Sequence, residues 1–139
     1  MTSAAAAAPD RAGISILVAD GTAFGRDFAR LSLRRAGFGR VVPVPDGAAA
    51  AEALGSVRPD LVVLDWDLGL LPAPEVLRLA RGGEGDSPAI VVTMARPTRD
   101  AVEAARADGA ESVLAKPVSA ARLRSHVAAA LARAGRPVG

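Results

Sequence analysis

Residues 59–68 read PDLVVLDWDL and contain the pattern that decides the fold. Within this stretch, Leu61 to Leu64 form an unbroken apolar run, and the acidic Asp65 follows directly. A strand covered by helices on both faces has such a run, whereas a strand with one face in water alternates apolar and polar residues. The stretch therefore predicts a central strand of a parallel sheet, with a carboxylate at its carboxyl end.

Two further apolar runs, ISILVA at residues 14–19 and AIVV at residues 89–92, have the same unbroken character. Between the runs lie Ala/Leu/Arg-rich stretches with apolar residues at helical spacing, an alternation that is typical of an α/β domain. We predict five strands, at residues 14–19, 40–44, 61–64, 89–93 and 112–115. We predict five helices, at residues 22–36, 47–57, 74–81, 98–108 and 119–134.

The second predicted strand, with the sequence RVVPVP, contains Pro43 and Pro45. Because proline has no N–H to donate to a neighbouring strand, we expect this strand at an edge of the sheet. Side chains that cap helix N-termini are predicted at Thr22, Asp46, Thr98 and Ser119. Glycines that end helices are predicted at Gly37, Gly55, Gly82, Gly109 and Gly135.

The chain has 139 residues, a formal net charge of +2 and no cysteine. This length fits one domain with its own core, and the absence of cysteine excludes thiol catalysis, disulfides and cysteine-ligated metals. We expect a disordered leader at residues 1–13, a folded domain at 14–134 and a tail at 135–139. We also expect a cytoplasmic protein, because the sequence has neither a secretory signal nor an apolar run long enough to cross a membrane.

Polar side chains lie at the carboxyl ends of four predicted strands. Asp20 follows the first strand, Asp65 the third and Lys116 the fifth, while Thr93 ends the fourth. Ligands of open parallel sheets bind at these ends, so we expect the four side chains to converge. Lys116 is the only lysine among 17 basic residues. Two carboxylates, a hydroxyl and an ammonium suit an aspartate that accepts a phosphoryl group beside a divalent cation.

Six motifs along the chain resemble those of the receiver domain of two-component response regulators, the family of the chemotaxis protein CheY. They read, in order, ILVAD, RRAGF, PDG, PDLVVLDWDL, VVTMA and DGAESVLAKP, and the resemblance extends from Ile14 to about Arg133. It implies a doubly wound, five-stranded parallel sheet in the flavodoxin-like order 2-1-3-4-5. This order agrees with the edge position that the two prolines predict for the second strand.

Residue by residue, the resemblance identifies Asp65 as the phosphoacceptor. It assigns to Thr93 the hydroxyl that moves toward the phosphoryl group, and to Lys116 the ammonium that pairs with this group. It also implies that the peptide bond between Lys116 and Pro117 is cis.

The resemblance implies Mg²⁺ as a cofactor, bound by Asp20, Asp65 and the backbone carbonyl of Asp67. Gly21 stands where the family has a second acidic residue that contacts the metal directly. Because Mg²⁺ requires oxygen ligands in near-octahedral geometry, we expect the loss of this carboxylate to weaken the site. The carboxylate of Asp67 is a hypothetical substitute.

Two other positions depart from the family pattern. Val113 replaces an aromatic residue whose ring moves as the threonine shifts, so we expect the ordinary coupling between Thr93 and the outer surface to be absent. Met94 replaces a small residue directly after Thr93. We expect its side chain to cover part of the site unless the flexible thioether moves aside.

From these features we predict a single-domain response regulator in bacterial phosphorelay signalling, which accepts a phosphoryl group on Asp65. The expected donor is a histidine kinase or a phosphotransfer protein. The expected downstream protein target binds the fourth helix, the fifth strand and the fifth helix. We expect no DNA-binding domain, no membrane association and no enzymatic turnover.

Two alternatives stay open at the level of sequence. A pseudo-receiver would bind proteins without phosphorylation, and Asp65 and Lys116 would then form only a structural salt bridge. A CheY-like effector would instead bind cyclic di-GMP through guanidinium groups of the fourth and fifth helices or their lead-in. The arginines in these segments are Arg96, Arg99, Arg106, Arg122 and Arg124.

Overall fold

The computed structural model describes residues 11–83 and 85–138. Five parallel strands form one sheet in the order β2-β1-β3-β4-β5. The strands are β1 (Ser15–Ala19), β2 (Arg40–Val44), β3 (Leu61–Asp65), β4 (Ala89–Met94) and β5 (Ser112–Ala115). The predicted fold class, a doubly wound CheY-like sheet with the second strand at one edge, is confirmed.

Five α-helices connect and follow the strands. They are α1 (Ala23–Arg35), α2 (Gly47–Val57), α3 (Ala73–Gly82), α4 (Arg99–Ala107) and α5 (Ala120–Arg133). Each bound lies within one residue of the prediction, because the apolar periodicity and the capping residues indicate the same ends. Within the described residues, no helix combines the length and the apolar character that a membrane crossing requires.

The helices cover the sheet in two layers. On one face, Leu33 of α1 and Leu131 of α5 belong to a cluster of buried residues with β1, β3 and β4. On the other face, a second cluster includes Leu77 of α3 and Ala105 of α4, together with residues of α2. Burial on both faces explains why these central strands have unbroken apolar sequences.

The four predicted N-caps are confirmed. In each case the side-chain oxygen accepts a hydrogen bond from the backbone N–H three residues further along the chain. These bonds satisfy N–H groups that have no partner within the helix, and they fix the direction in which each helix leaves the sheet.

The predictions for the glycines at helix ends are correct at three positions and wrong at two. Gly37, Gly109 and Gly135 have positive φ angles, as expected for residues that end helices. Gly55 lies inside α2, which continues to Val57 and ends at Arg58 in the left-handed conformation, with φ of 52°. Gly82 is the last residue of α3 and has no positive φ. Glycine permits the left-handed conformation at these positions, but the observed helix ends do not use it there.

Both ends of the described chain contact the folded domain. Of the predicted leader, residues 1–10 lie outside the described residues, and residues 11–13 form a 3-10 helix. The Arg11 guanidinium lies 5.0 Å from the centre of the Phe38 ring. In the predicted tail, Arg136 Nη1 donates to the carbonyl of Asp60 at 3.0 Å, and Val138 packs against the α1 and α5 layer.

Candidate functional site

Three charged side chains meet at the carboxyl edge of the sheet. The Lys116 ammonium lies 3.0 Å from Oδ2 of Asp20 and 3.2 Å from Oδ2 of Asp65. Asp20 is 6% exposed and Asp65 is 4% exposed. Two buried carboxylates repel each other strongly unless a cation lies between them, so the position of the ammonium is essential to the arrangement.

The carboxylate of Asp20 is held by the turn that follows β1. Its Oδ1 accepts hydrogen bonds from the Thr22 backbone N–H at 2.8 Å and from the Thr22 hydroxyl at 3.0 Å. The same hydroxyl accepts a bond from the Gly25 N–H and caps α1. Thr22 therefore fixes the carboxylate and the start of the helix together.

The first turn of α1 passes close to this carboxylate, and Gly25 makes the approach possible. A Cβ atom at this position would overlap the carboxylate group of Asp20. The sequence alone predicts Gly25 inside the helix at residues 22–36 and indicates no role for it. The sequence does show a glycine in the first turn of a predicted helix. The reason for this glycine is evident only from the position of Asp20 in the fold.

The carboxylate of Asp65 lies at the end of β3 and accepts two backbone hydrogen bonds. The N–H of Asp67 donates to Oδ1 at 3.1 Å, and the N–H of Gly21 donates to Oδ2 at 3.4 Å. These bonds orient the carboxylate toward the edge of the sheet where Lys116 lies.

The ion pairs shift the proton affinity of both partners. Burial disfavours the charged form of Asp20, but hydrogen bonds from Thr22 and the charge of Lys116 outweigh it, so the pKa of the Asp20 carboxyl is lowered. Burial likewise disfavours the ammonium, yet the bond to Asp20 and the charge of Asp65 raise the pKa of Lys116 above its ordinary value. Asp20 and Lys116 are therefore both charged at neutral pH.

Thr93 lies beside Asp65, since the two residues are register partners on β4 and β3. The residue is 5% exposed, and its hydroxyl is one of the buried polar groups that lack a hydrogen-bond partner among the described residues. Leaving such a group unsatisfied costs about 1–3 kcal/mol. A ligand oxygen at this edge would supply the missing partner.

The position of Met94 corrects one expectation. Its side chain is 1% exposed and packs in the same layer as Ala105 of α4, so it does not cover the site. Neighbouring residues of a strand point to opposite faces, and Thr93 lines the site. Val113 is half-buried against the same layer as Met94.

The acidic groups fit a divalent cation that keeps much of its water. Among the described residues, no three His, Cys, Asp or Glu side chains are grouped so that they could hold a metal, so the Asp67 carboxylate does not complete a cluster with Asp20 and Asp65. Mg²⁺ in proteins is nevertheless commonly held through one or two carboxylates and several waters. Two carboxylates and one ammonium leave one uncompensated negative charge, which favours a cation there.

The structure also shows the Lys116–Pro117 bond and the arginines near the fourth and fifth helices. The Lys116–Pro117 peptide bond is cis, as the resemblance implies. The arginines of the fourth and fifth helices and their lead-in, Arg96, Arg99, Arg106, Arg122 and Arg124, are all exposed.

Comparisons with known proteins support the resemblance to receiver domains. A family model described as the response regulator receiver domain matches residues 16–128. The transcriptional regulatory protein PrrA of Mycobacterium tuberculosis is 35% identical over 103 residues, which are 74% of this chain and 43% of that protein. The DNA-binding response regulator MtrA of Mycobacterium leprae is 34% identical over 118 residues, which are 85% of this chain and 51% of that protein. The chain thus spans about half the length of these relatives.

Solved structures show the same fold. A signal receiver domain from Vibrio parahaemolyticus superposes with a TM-score of 0.80 at 23% identity, over 88% of this chain and 92% of that one. The chemotaxis response regulator CheY4 of Vibrio cholerae superposes with a TM-score of 0.78 at 20% identity, over 85% of this chain and 98% of that one.

The fold is a doubly wound α/β domain, and acidic, lysine and threonine side chains form a polar site at the carboxyl edge of its sheet. The chain belongs to the response regulator receiver domain family. Receiver domains bind Mg²⁺ at an acidic site and interact with histidine kinases or phosphotransfer proteins. The pseudo-receiver and cyclic di-GMP alternatives are not favoured.

Gly25→Ala is expected to destabilise the protein, although alanine normally stabilises a helix relative to glycine. The new methyl group overlaps the Asp20 carboxylate, and we expect the free energy of unfolding to fall by about 1–3 kcal/mol. Gly55→Ala in α2 is the matched control, because a Cβ there meets nothing within 4 Å. It should raise stability by about 0.5–1 kcal/mol. If urea unfolding showed the same change in the free energy of unfolding for Gly25→Ala and Gly55→Ala, the close approach of α1 to Asp20 would be contradicted.

Lys116→Met leaves two buried carboxylates facing each other, so we expect the free energy of unfolding at pH 7 to fall by about 2 kcal/mol. The lowered pKa of Asp20 gives wild-type stability that is present above the ordinary carboxyl pKa and lost as the pH falls through the lowered value. The raised pKa of Lys116 gives stability that is lost only as the pH rises above its ordinary value.

The difference between wild type and Lys116→Met should therefore shrink below about pH 4. Urea unfolding between pH 3 and pH 8 measures it, with Arg106→Met on the exposed surface of α4 as the control. A difference that stays constant over this range would show that the ion pairs do not provide the stability.

Gly21→Asp is expected to strengthen Mg²⁺ binding about tenfold, because it adds the missing carboxylate to a site with only two. The position has room, since a Cβ at Gly21 meets nothing within 4 Å. The fluorescence of Trp66, the only tryptophan, reports binding during a Mg²⁺ titration.

Gly21→Asn is the neutral control for this titration. Asp67→Ala tests whether the Asp67 carboxylate serves as a ligand. If Asp67→Ala binds Mg²⁺ as well as the wild type does, the Asp67 hypothesis is wrong. If Gly21→Asn matches Gly21→Asp, added charge is not the cause.

Proposed function

We propose that this domain accepts a phosphoryl group on Asp65 from the phosphohistidine of a histidine kinase or a phosphotransfer protein. One observation supports the proposal above others. The buried carboxylate of Asp65 lies 3.2 Å from the Lys116 ammonium, beside a buried Thr93 hydroxyl without a hydrogen-bond partner among the described residues. A phosphoryl group on Asp65 would give the Thr93 hydroxyl the acceptor that it lacks and give the Lys116 ammonium a further one.

In the proposed reaction, a carboxylate oxygen of Asp65 attacks the phosphorus atom. The new P–O bond forms as the P–N bond to the donor histidine breaks, and the imidazole leaves with the electron pair. Lys116 and Thr93 donate hydrogen bonds to the phosphoryl oxygens, where negative charge develops. Asp20 keeps Lys116 charged and in place throughout.

Asp20, Asp65 and the backbone carbonyl of Asp67 would hold Mg²⁺ in this proposal. When bound, the ion offsets the negative charge of the transferring phosphoryl group. Because Gly21 contributes no carboxylate, we propose that the site binds the ion more weakly than a site with a second acid would.

The partners follow from the surface that the fold presents. We propose that a downstream protein binds α4, β5 and α5, where the exposed arginines favour an acidic partner. PrrA is called a transcriptional regulatory protein and MtrA a DNA-binding response regulator, but this chain spans only about half of each. We propose that the domain acts in the cytoplasm through protein contacts, as a phosphoacceptor and not as an enzyme.

Incubation with acetyl phosphate and Mg²⁺ should add a phosphoryl group to the wild-type protein, which intact-mass measurement detects as a gain of about 80 Da. Asp65→Asn should show no gain, because it lacks the nucleophilic carboxylate. Asp100→Asn, an exposed position on α4, is the control that should be labelled like the wild type. An unlabelled wild type, or a labelled Asp65→Asn variant, would rule out Asp65 as the acceptor.

A further inference from the structure

A cavity of about 460 Å³ opens beside the candidate phosphoacceptor site, between α1 and the connection from β5 to α5. Asp20, Thr93 and Lys116 form its polar end. Its size falls within the range of small-molecule sites. The other walls are mainly apolar and include Phe24, Phe28, Ala29, Val118 and Leu123.

The outer wall of the cavity is an aromatic pair that the core does not bury. Phe24 is 81% exposed, and its ring stacks on that of Phe28 with centroids 6.3 Å apart and planes 15° apart. A phenylalanine exposed to this degree contributes little to folding through burial. It does extend the apolar surface of the cavity outward from the polar end.

The inner end of the cavity has hydrogen-bond donors that a ligand with acceptor oxygens would satisfy. The Thr93 hydroxyl lines the cavity, is buried and lacks a partner among the described residues. Lys116 has three N–H donors, and its ammonium bonds two carboxylates. A molecule that fits has oxygen acceptors at Thr93 and Lys116, and an apolar tail between α1 and α5.

We propose that the site takes phosphoryl groups from small acyl phosphates whose acyl chain is longer than acetyl, with the chain lying in this cavity. The inference rests on the proposed function, since the phosphoryl group is transferred to Asp65. A carboxylate oxygen of Asp65 forms the bond to phosphorus. The bond between phosphorus and the bridging oxygen breaks, and the fatty acid leaves as its carboxylate with the electron pair.

Butyryl phosphate and acetyl phosphate provide the comparison, because butyrate and acetate are leaving groups of nearly equal basicity. Each methylene that enters an apolar cavity strengthens binding about fourfold. With two added methylenes, kcat/KM for butyryl phosphate should exceed that for acetyl phosphate about fifteenfold. The gain should appear mainly as a lower KM, since the chain does not take part in the reaction.

Two variants test the cavity without altering the reacting groups. Phe24→Ser removes the exposed outer wall, and Ala29→Leu fills the apolar part with a larger side chain. Both should lose the preference for butyryl phosphate and keep the rate with acetyl phosphate within about twofold. Leu31→Ser is the matched control, because Leu31 is 47% exposed on the same helix and does not line the cavity.

Phosphorylation is followed by intact mass in the presence of Mg²⁺, with Asp65→Asn as the blank. A preference of wild type and Leu31→Ser for butyryl phosphate, absent in the other two variants, supports the inference. Equal rates with both donors in the wild type overturn it and leave phosphoacceptance by Asp65 intact, as does a preference that survives Ala29→Leu. Failure of both donors to label the wild type overturns the proposed function, and the inference with it.

Discussion

The Lys116 ammonium between two buried carboxylates is the interaction on which the rest of the site depends. Lys116 and Asp20 are 96 residues apart in the sequence, and Lys116 reaches Asp20 and Asp65 past the end of β4. This reach suits a compact ammonium on a flexible stem better than the wide planar fork of arginine. The requirement explains why a chain rich in arginine has its only lysine at this position. Gly25 and Thr22 then bring α1 against Asp20, so the helix layer adjusts to the ion pair.

The same groups serve the resting protein and the proposed reaction. Lys116 has three N–H donors, and the two carboxylates occupy two of them in the simplest arrangement. The third can bond an incoming oxygen without breaking either ion pair. The single uncompensated negative charge attracts a cation, whereas an approaching phosphoryl group is repelled by it. Phosphoryl transfer at this site therefore requires an added positive charge. Because Gly21 has no carboxylate, the site has less negative charge to offset than one with a second acid, but the charge is still negative.

The sequence predicts most of the fold because strands that are buried on both faces have unbroken apolar sequences, and because proline excludes β2 from the sheet centre. It also predicts which side chains converge, since they follow parallel strands. It fails where a neighbour distant in the sequence decides the outcome. The role of Gly25 becomes evident only when the position of the Asp20 carboxylate is known. Helix α2 continues past Gly55 and ends at Arg58, although the sequence predicts an end at the glycine. The position of Met94 follows from the alternation of side chains along β4, which places Met94 on the face opposite Thr93 and away from the site.

The alternation of side chains along β4 also connects the phosphoacceptor site with the helix layer on the other face of the sheet. Val113 has no aromatic ring that could move with the threonine, so residue 113 itself provides no such link. Thr93 and Met94 are consecutive on β4, and they face the phosphoacceptor site and the layer of α4 respectively. Met94 is 1% exposed and packs in the layer that contains Ala105 of α4, and close-packed interiors tolerate little displacement of one residue without a response from its neighbours. Thr93 at the site and Met94 in the α4 layer are thus joined directly through the backbone of β4, without residue 113.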